Sequence, residues 1–453
     1  MRCLAVLAAL LGVASAAPSI GIRAKHGWTV ARPGTIKNVV VTKENTLNGT
    51  YNGPKTTVKP PKAAAGLDSR ALNGSLPLEL VNNFGGGAVN AYIVGLDSDN
   101  HVVFVRGDGS LVYPSSGGSQ VPVPITEKVA IPLPGKGQTL RMTLPIVMTS
   151  GRIYFAEGSL AFSVVSTPTG DGLVQPAPTN LEDPSAGTNW GFVELTYTAD
   201  RSLWANISYV DFVGMILSMA LSVTDGGGTQ ITRGLGAGSV GAICNGLGSQ
   251  ADSDGWPWDR MCVANAQGTP LRVLSPNDYA VISPGDFGSY WSGYVDKVWQ
   301  HYASANLTVD TQANAGRVSC GVSGSTLTCA GDNRGYAKPS AGDIWGCNGG
   351  PFLLQGGDNP VHVAVVPRLC AAFVRSTLLL DGGDVQPGLS DSSYYTVDPT
   401  NHYSRLVHAH EVDGRGYAFA YDDVNPSGHE DSSGLVHSGA PDTLTVYVGA
   451  PPP

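Results

Sequence analysis

Two acids stand where strands normally exclude charge. Glu194 lies in the alternating run Trp190-Gly-Phe-Val-Glu-Leu-Thr-Tyr197, and Asp211 sits between Val210 and Phe212. Carboxylates are depleted from strand interiors, so each needs a reason. The two runs read as one hairpin turning around residues 200–202. A register that sets Glu194 opposite Tyr209 makes Asp211 its diagonal neighbour, with Cβ atoms about 7–8 Å apart. Two carboxyls about 6.5–9.5 Å apart leave room for a water beside a sugar ring. One then protonates the leaving oxygen, and the other activates the water from the opposite face. A slip of one residue puts the acids on opposite faces and removes the pairing; the plainer alternative is two solvent-facing carboxylates.

Other groups carry less chemistry. His408, His410 and His429 are spread over a helix end and a loop, and read as surface or structural histidines. Asp422 and Asp423 either line a groove or stabilise a turn. Glu157 is a spare acid on a strand of the same region. The Gly-rich loops, including Ser427-Gly428, lack the lysine and spacing of a phosphate loop. No metal and no cofactor is implied.

The elements that would hold such a site are β-rich. The 453 residues include 59 Gly and 31 Pro, about one in five, and only 14% are charged. That excludes a coiled coil, and 35 aromatics exclude charge-driven disorder. Strand-like runs separated by turn residues cover 76–81, 91–96, 101–106, 128–133, 139–148, 152–157, 162–165, 192–198 and 203–213. Their spacing indicates a β-sandwich or β-barrel. Ser283-Pro-Gly-Asp286 resembles a capped helix start. Phe287, Tyr290, Trp291, Tyr294, Val298, Trp299 and Tyr302 then recur at helical steps as a core-facing stripe. Further helices are expected over 365–379 and 401–410.

Residues 1–16 read as a secretory signal peptide: Arg2, an apolar run, then Ala14-Ser-Ala16. The rest is expected to be secreted and extracellular, and neither membrane-bound nor nucleic-acid-binding. Six cysteines remain, and nearest-neighbour pairing gives Cys244–Cys262, Cys320–Cys329 and Cys347–Cys370. Sequons stand at Asn48, Asn73, Asn206 and Asn306, and Asn206, inside the hairpin, is expected to be unmodified. Residues 17–73 hold nine basic and two acidic residues, a net of +7. From Gly74 on there are 17 basic and 34 acidic residues, a net of −17. The basic stretch is either a tail or pro-segment docked on the acidic body, or a solvated linker. The acidic body suits a neutral substrate or a carboxylate site. The domain reading is 1–16 signal, 17–73 basic segment, 74–215 catalytic β-barrel or sandwich, 216–390 mixed α/β portion, and 391–453 returning to the β domain.

From about Leu76 to Gly449 the chain resembles glycoside hydrolase family 64, the thaumatin-like endo-β-1,3-glucanases that release laminaripentaose. The resemblance rests on Phe192-Val-Glu-Leu-Thr-Tyr197 with Trp204-Ala-Asn-Ile-Ser-Tyr-Val-Asp211, and on the aromatic run from Phe287 to Trp299. It also rests on Tyr394-Tyr395 with Asn401-His-Tyr-Ser-Arg405, and on Asp413-Gly-Arg-Gly-Tyr-Ala-Phe-Ala-Tyr-Asp-Asp-Val424. It implies a mainly β, thaumatin-like barrel or sandwich with an added α/β domain and a wide groove between them. It also implies an inverting hydrolase of β-1,3-glucan, with Glu194 as general acid and Asp211 as general base; a monomer is expected, though the sequence leaves the oligomeric state open. Partial burial should raise Glu194's pKa, while Asp211 stays ionised. Thr196 and Trp204 match sugar-holding positions. Ser208 replaces a usual Thr, Thr198 matches beside a longer turn, and Asp422 and Asp423 are possible sugar contacts. In the register above Trp204 faces away from Glu194, which would require a bulge near the turn. The alternative is a non-catalytic thaumatin-like glucan-binding or antifungal wall protein. Two retained carboxylates argue against it, since a binder needs neither. A structural wall protein has no specific feature in its favour.

Overall fold

The structure is a computed structural model that describes residues 27–51, 53–58, 75–428, 432–449 and 451. The signal segment, Asn73 and His429 lie outside the described residues. The fold is mainly β. A nine-stranded sheet runs in the order Val436–Ser438, Leu203–Ile207, Trp190–Tyr197, Met148–Glu157, Val89–Leu96, Val102–Val105, Leu111–Tyr113 and Thr56–Val58, with Ile131–Pro132 beside Val89–Leu96. A five-stranded sheet places the last strand, Pro441–Gly449, between Leu76–Asn83 and Leu217–Val223. Strand Leu76–Asn83 alternates strictly between buried and half-buried residues, the period of a sheet with one face on the core.

The helices gather after residue 238. The expected helix start, with Ser283 as cap, is wrong by eight residues: helix Ser292–Tyr302, with Trp291 in the cap position, follows a run of turns. Pro284, Gly285 and Gly288 disfavour a continuous helix there. The same Ser-Pro pattern one step earlier does start a helix. Ser275 caps Pro276–Ile282 by accepting the Asp278 N–H, with Pro276 in the first turn. The aromatic stripe is core as expected, with Trp258, Phe287, Tyr290, Trp291 and Trp345 packed ring to ring. Helix Pro360–Val374 begins five residues before the expected position, and His402–His410 is capped by Asn401.

The three disulfides join Cys244–Cys262, Cys320–Cys329 and Cys347–Cys370. Cys320 and Cys329 face each other across a hairpin. The described part of the basic segment, residues 27–51 and 53–58, is seated on the body mainly by backbone pairing. Thr29–Val30 runs parallel to Cys262–Ala264, Thr46–Asn48 pairs with Gly170–Val174, and Thr56–Val58 pairs with Leu111–Tyr113. One ion pair, Lys55–Glu127 at 2.6 Å, adds charge complementarity.

Candidate active site

The hairpin carrying Glu194 has a different register from the expected one. Glu194 lies opposite Asn206, and Thr196 opposite Trp204. The turn dictates this. Thr198 N–H donates to the Ser202 carbonyl at 3.0 Å, closing a loop of residues 199–201 with Arg201 at φ +69°. Once a hairpin loop is fixed, every later pair is fixed with it. Val193, Leu195 and Tyr197 then point to the core with Leu203, Ala205 and Ile207. Glu194, Thr196, Trp204 and Asn206 share the other face. Trp204 therefore faces with Glu194 and no bulge in this hairpin is needed. A bulge does occur in the neighbouring strand, between Met148 and Gly151. Gly151 is needed there, since a Cβ would lie 2.9 Å from the Leu195 carbonyl oxygen.

That neighbouring strand supplies a residue that sequence reasoning missed. Arg152 pairs with Glu194 across the strands, and its guanidinium donates to Glu194 Oε1 from Nη2 at 3.0 Å and Nε at 3.2 Å. It also lies 4.4 Å over the Phe192 ring and donates to the Tyr154 hydroxyl at 3.3 Å. Tyr154 in turn donates to Gln175 Oε1. The available signal was an arginine inside a strand-like run of a chain with few charges.

Asp211 is not a diagonal neighbour on the hairpin. The strand ends at Ile207, and Ser208 and Tyr209 turn to meet Tyr417. The Tyr403 hydroxyl donates to the Tyr209 carbonyl at 2.5 Å, and Ser275 N–H donates to the Asp211 carbonyl at 2.8 Å. These bonds hold Asp211 on a connecting turn where both Arg152 and Glu194 act on it. Burial pushes the Asp211 carboxyl up, Arg152 pulls it down, and Glu194 pushes it further up. Asp278, on the helix that Ser275 caps, is pushed well up by burial and then by Asp211 and Glu44. Glu194 itself is half-exposed and ion-paired with Arg152.

Glu194, Arg152, Thr196, Trp204 and Asn206 line a cavity of about 440 Å³ together with Ser150, Gln175, Glu44, Thr46 and Leu47. One face of Trp204 is covered by His437, with ring centroids 4.7 Å apart. The other expected contacts lie elsewhere. Thr198 uses its hydroxyl to close the turn, bonding Asp200 and the Ser202 carbonyl. Ser208 is buried at the bridge to Tyr417. Asp422 is fully buried, accepting from His408 Nε2 at 2.9 Å, Arg375 Nη2 at 2.9 Å and Ala418 N–H at 2.8 Å. It is a structural acid and cannot touch a sugar, while Asp423 is exposed and does not line the Glu194 cavity. Glu157 accepts from Gly87 N–H at 2.7 Å and fixes a turn. His408 is half-buried and bridges Asp422 and Glu411 as a structural histidine.

Half-exposed polar side chains, one tryptophan face and two interacting acids make a surface suited to a hydroxylated neutral ligand and proton transfer. The profile of glycosyl hydrolase family 64, described as Beta-1,3-glucanase, matches residues 74–448. A glucan endo-1,3-beta-glucosidase of Cellulosimicrobium cellulans is 29% identical over 83% of this chain and 65% of its own length. One from an Arthrobacter species is 30% identical over the same shares. The chain thus spans about two thirds of the length of these curated relatives. Among solved structures, a laminaripentaose-producing beta-1,3-glucanase in complex with laminaritetraose superposes with a TM-score of 0.71 at 30% identity, covering 83% of this chain and 99% of the other. A beta-1,3-glucanase domain from Clostridium beijerinckii shares the fold at 22% identity, with a TM-score of 0.63 over 83% of this chain and 98% of its own. The hairpin carrying Glu194 lies inside the matched span, and the chain belongs to glycoside hydrolase family 64.

Proposed function

We propose that this chain is a secreted, endo-acting hydrolase of β-1,3-glucan that cleaves internal bonds with inversion and releases short laminari-oligosaccharides. The carrying observation is Glu194 on one cavity wall with Thr196 and Trp204, within the same electrostatic field as Arg152 and Asp211. In this reading the protein is a thaumatin-like monomer, and the cavity is part of a wide glucan-binding groove. Its three disulfides suit an oxidising, extracellular setting. No helix of the described residues is long and apolar enough to cross a membrane.

Glu194 donates a proton to the leaving glycosidic oxygen. Asp211 takes a proton from the attacking water. It must be ionised to do so, and Arg152 is the cation that favours that form. Trp204 offers its face away from His437 to a pyranose ring, and Thr196 a hydroxyl beside it. Asn206 faces Glu194, so in this reading it carries no glycan.

The test is digestion of laminarin followed by chromatography of the products. Short oligosaccharides appearing before glucose support an endo-hydrolase, whereas binding without product supports a glucan-binding wall protein. Arg152 adds a pH prediction. A base whose carboxyl is pushed up works only as pH rises through its raised value, so the acid limb of kcat/KM should lie above about 4, the ordinary aspartate value. Arg152→Gln removes the cation that lowers Asp211 and should move this limb further up. It should also cost about 100-fold in rate, since Glu194 loses its positioning partner. An unmoved limb would refute that role for Arg152.

A further inference from the structure

We infer that the N-terminal strap, residues 27–51, builds a sugar subsite onto the catalytic cavity through Glu44, Thr46 and Leu47. This inference rests on the proposed glucan-hydrolase reading. The matched family span begins at residue 74, so the strap lies wholly outside it. Yet Glu44, Thr46 and Leu47 line the same cavity as Glu194, Arg152 and Trp204.

The strap is held in place by specific bonds. Thr46, Leu47 and Asn48 pair with Val174, Leu173 and Gly172. Gly49 N–H donates to the Asp171 carbonyl at 3.1 Å. Asn45 is buried and folds the turn ahead of this strand: its Nδ2 donates to the Val40 carbonyl at 2.7 Å, and its Oδ1 accepts from Thr42 N–H at 2.9 Å. Further back, Asn180 Nδ2 donates to the Asn38 carbonyl at 2.7 Å, and Thr29 and Val30 pair with Val263 and Ala264. A wall fixed along its length holds side chains at defined positions, as a subsite requires.

The strap is also tied to the reacting groups. Gln175 N–H donates to the Asn45 carbonyl at 2.8 Å, while Gln175 Oε1 accepts from Tyr154, which binds Arg152. A continuous path therefore runs from the strap through Gln175 and Tyr154 to the guanidinium on Glu194. Glu44 presents an exposed carboxylate, an acceptor for sugar hydroxyls. Thr46 adds a hydroxyl and Leu47 a half-buried apolar contact for a ring face. The ligand chemistry is that of a neutral, hydroxyl-rich chain extending beyond the scissile bond. A subsite there fixes how many sugars lie on one side of the cut, and so shapes product length.

Glu44→Ala and Leu47→Ala should show this. Binding of laminarihexaose is measured by calorimetry in the Glu194→Gln chain, with and without each strap substitution. Product lengths from laminarin are measured in otherwise wild-type protein. Each strap substitution should weaken binding about tenfold and shift the product pattern, with KM rising more than kcat falls. Glu44 is exposed, so Glu44→Ala carries the test if Leu47→Ala unfolds. Unchanged affinity and product lengths in folded Glu44→Ala would overturn the strap subsite while leaving the hydrolase reading intact. Wild-type protein that binds laminarihexaose but never cleaves laminarin would overturn the hydrolase reading, and the binding comparison would still decide the strap. No laminarihexaose binding to the Glu194→Gln chain, alongside inactive wild type, would overturn both.

Discussion

Glu194→Gln and Asp211→Asn should each lower the rate of reducing-sugar release from laminarin by about 10²–10⁴-fold, the range for loss of a general acid or base. Both changes keep side-chain size and remove one charge. Glu194 lies on a half-exposed sheet face, so Glu194→Gln should fold normally, although it loses the ion pair to Arg152. Asp211→Asn removes a carboxyl that is already pushed up by burial, so its stability should hold or rise. The sign follows directly. A raised folded-state value favours the protonated acid, so the wild type loses stability as pH rises through that value, and the neutral amide does not. An aryl laminarioside whose leaving group needs no protonation separates the two roles. Glu194→Gln should recover most of its rate on that substrate, and Asp211→Asn should not. The reverse pattern would exchange the roles of the two acids.

Asp422→Ala should produce the largest change in stability. Asp422 is fully buried and compensates two cations, Arg375 and His408. Removing one partner of a buried pair leaves uncompensated charge, at a cost of about 3–5 kcal/mol. Asp422 does not line the Glu194 cavity, so the surviving folded protein should lose far less in KM than in stability. The pH dependence has a definite direction. His408 and Arg375 hold Asp422 below its ordinary value, so that contribution is lost only as pH falls through the lowered value. His408 is pushed up to about 10 by Asp422 and Glu411, against burial, so its contribution is complete below its ordinary value and lost as pH rises towards 10. Burial pushes Glu411 up to about 7, so the wild type also loses stability as pH rises through 7. Thermal unfolding across pH should show a wild-type stability that declines on the alkaline side. In Asp422→Ala, Tm should be lower throughout and this slope flatter. An Asp422→Ala protein as stable as wild type would refute the role assigned to the network.

Much of this was legible in the sequence because it depends on local signals. Alternation marked the strands, the aromatic stripe marked a core, and cysteine spacing gave the disulfide pairs. Glu194 stood out because a charge-poor strand leaves few other acids. The hairpin register was missed because one αL residue, Arg201, decides it, and nothing in the apolar pattern distinguishes registers near the turn. Val210 and Phe212 continue the alternation, so the sequence alone puts Asp211 on the strand. The bonds that take it off the strand come from Tyr417, Tyr403 and Ser275, all distant in sequence. Arg152 meets Glu194 only through strand pairing across 42 positions. Helix Ser239–Asp254 was missed because its Gly, Ser and Asn content hides the apolar period, and glycines in the left-handed region flank both ends. In the sequence Asp422 reads as lining a groove or stabilising a turn, and only the structure reveals the two cations around it.

The most direct test of the central claim is the proton NMR spectrum of laminarin in the first minutes after wild-type protein is added. New reducing ends should appear first as the α-anomer, before mutarotation, while the internal β-1,3 signal declines. Reducing ends that appear first as the β-anomer, or no new reducing ends at all, would contradict a Glu194–Asp211 inverting hydrolase.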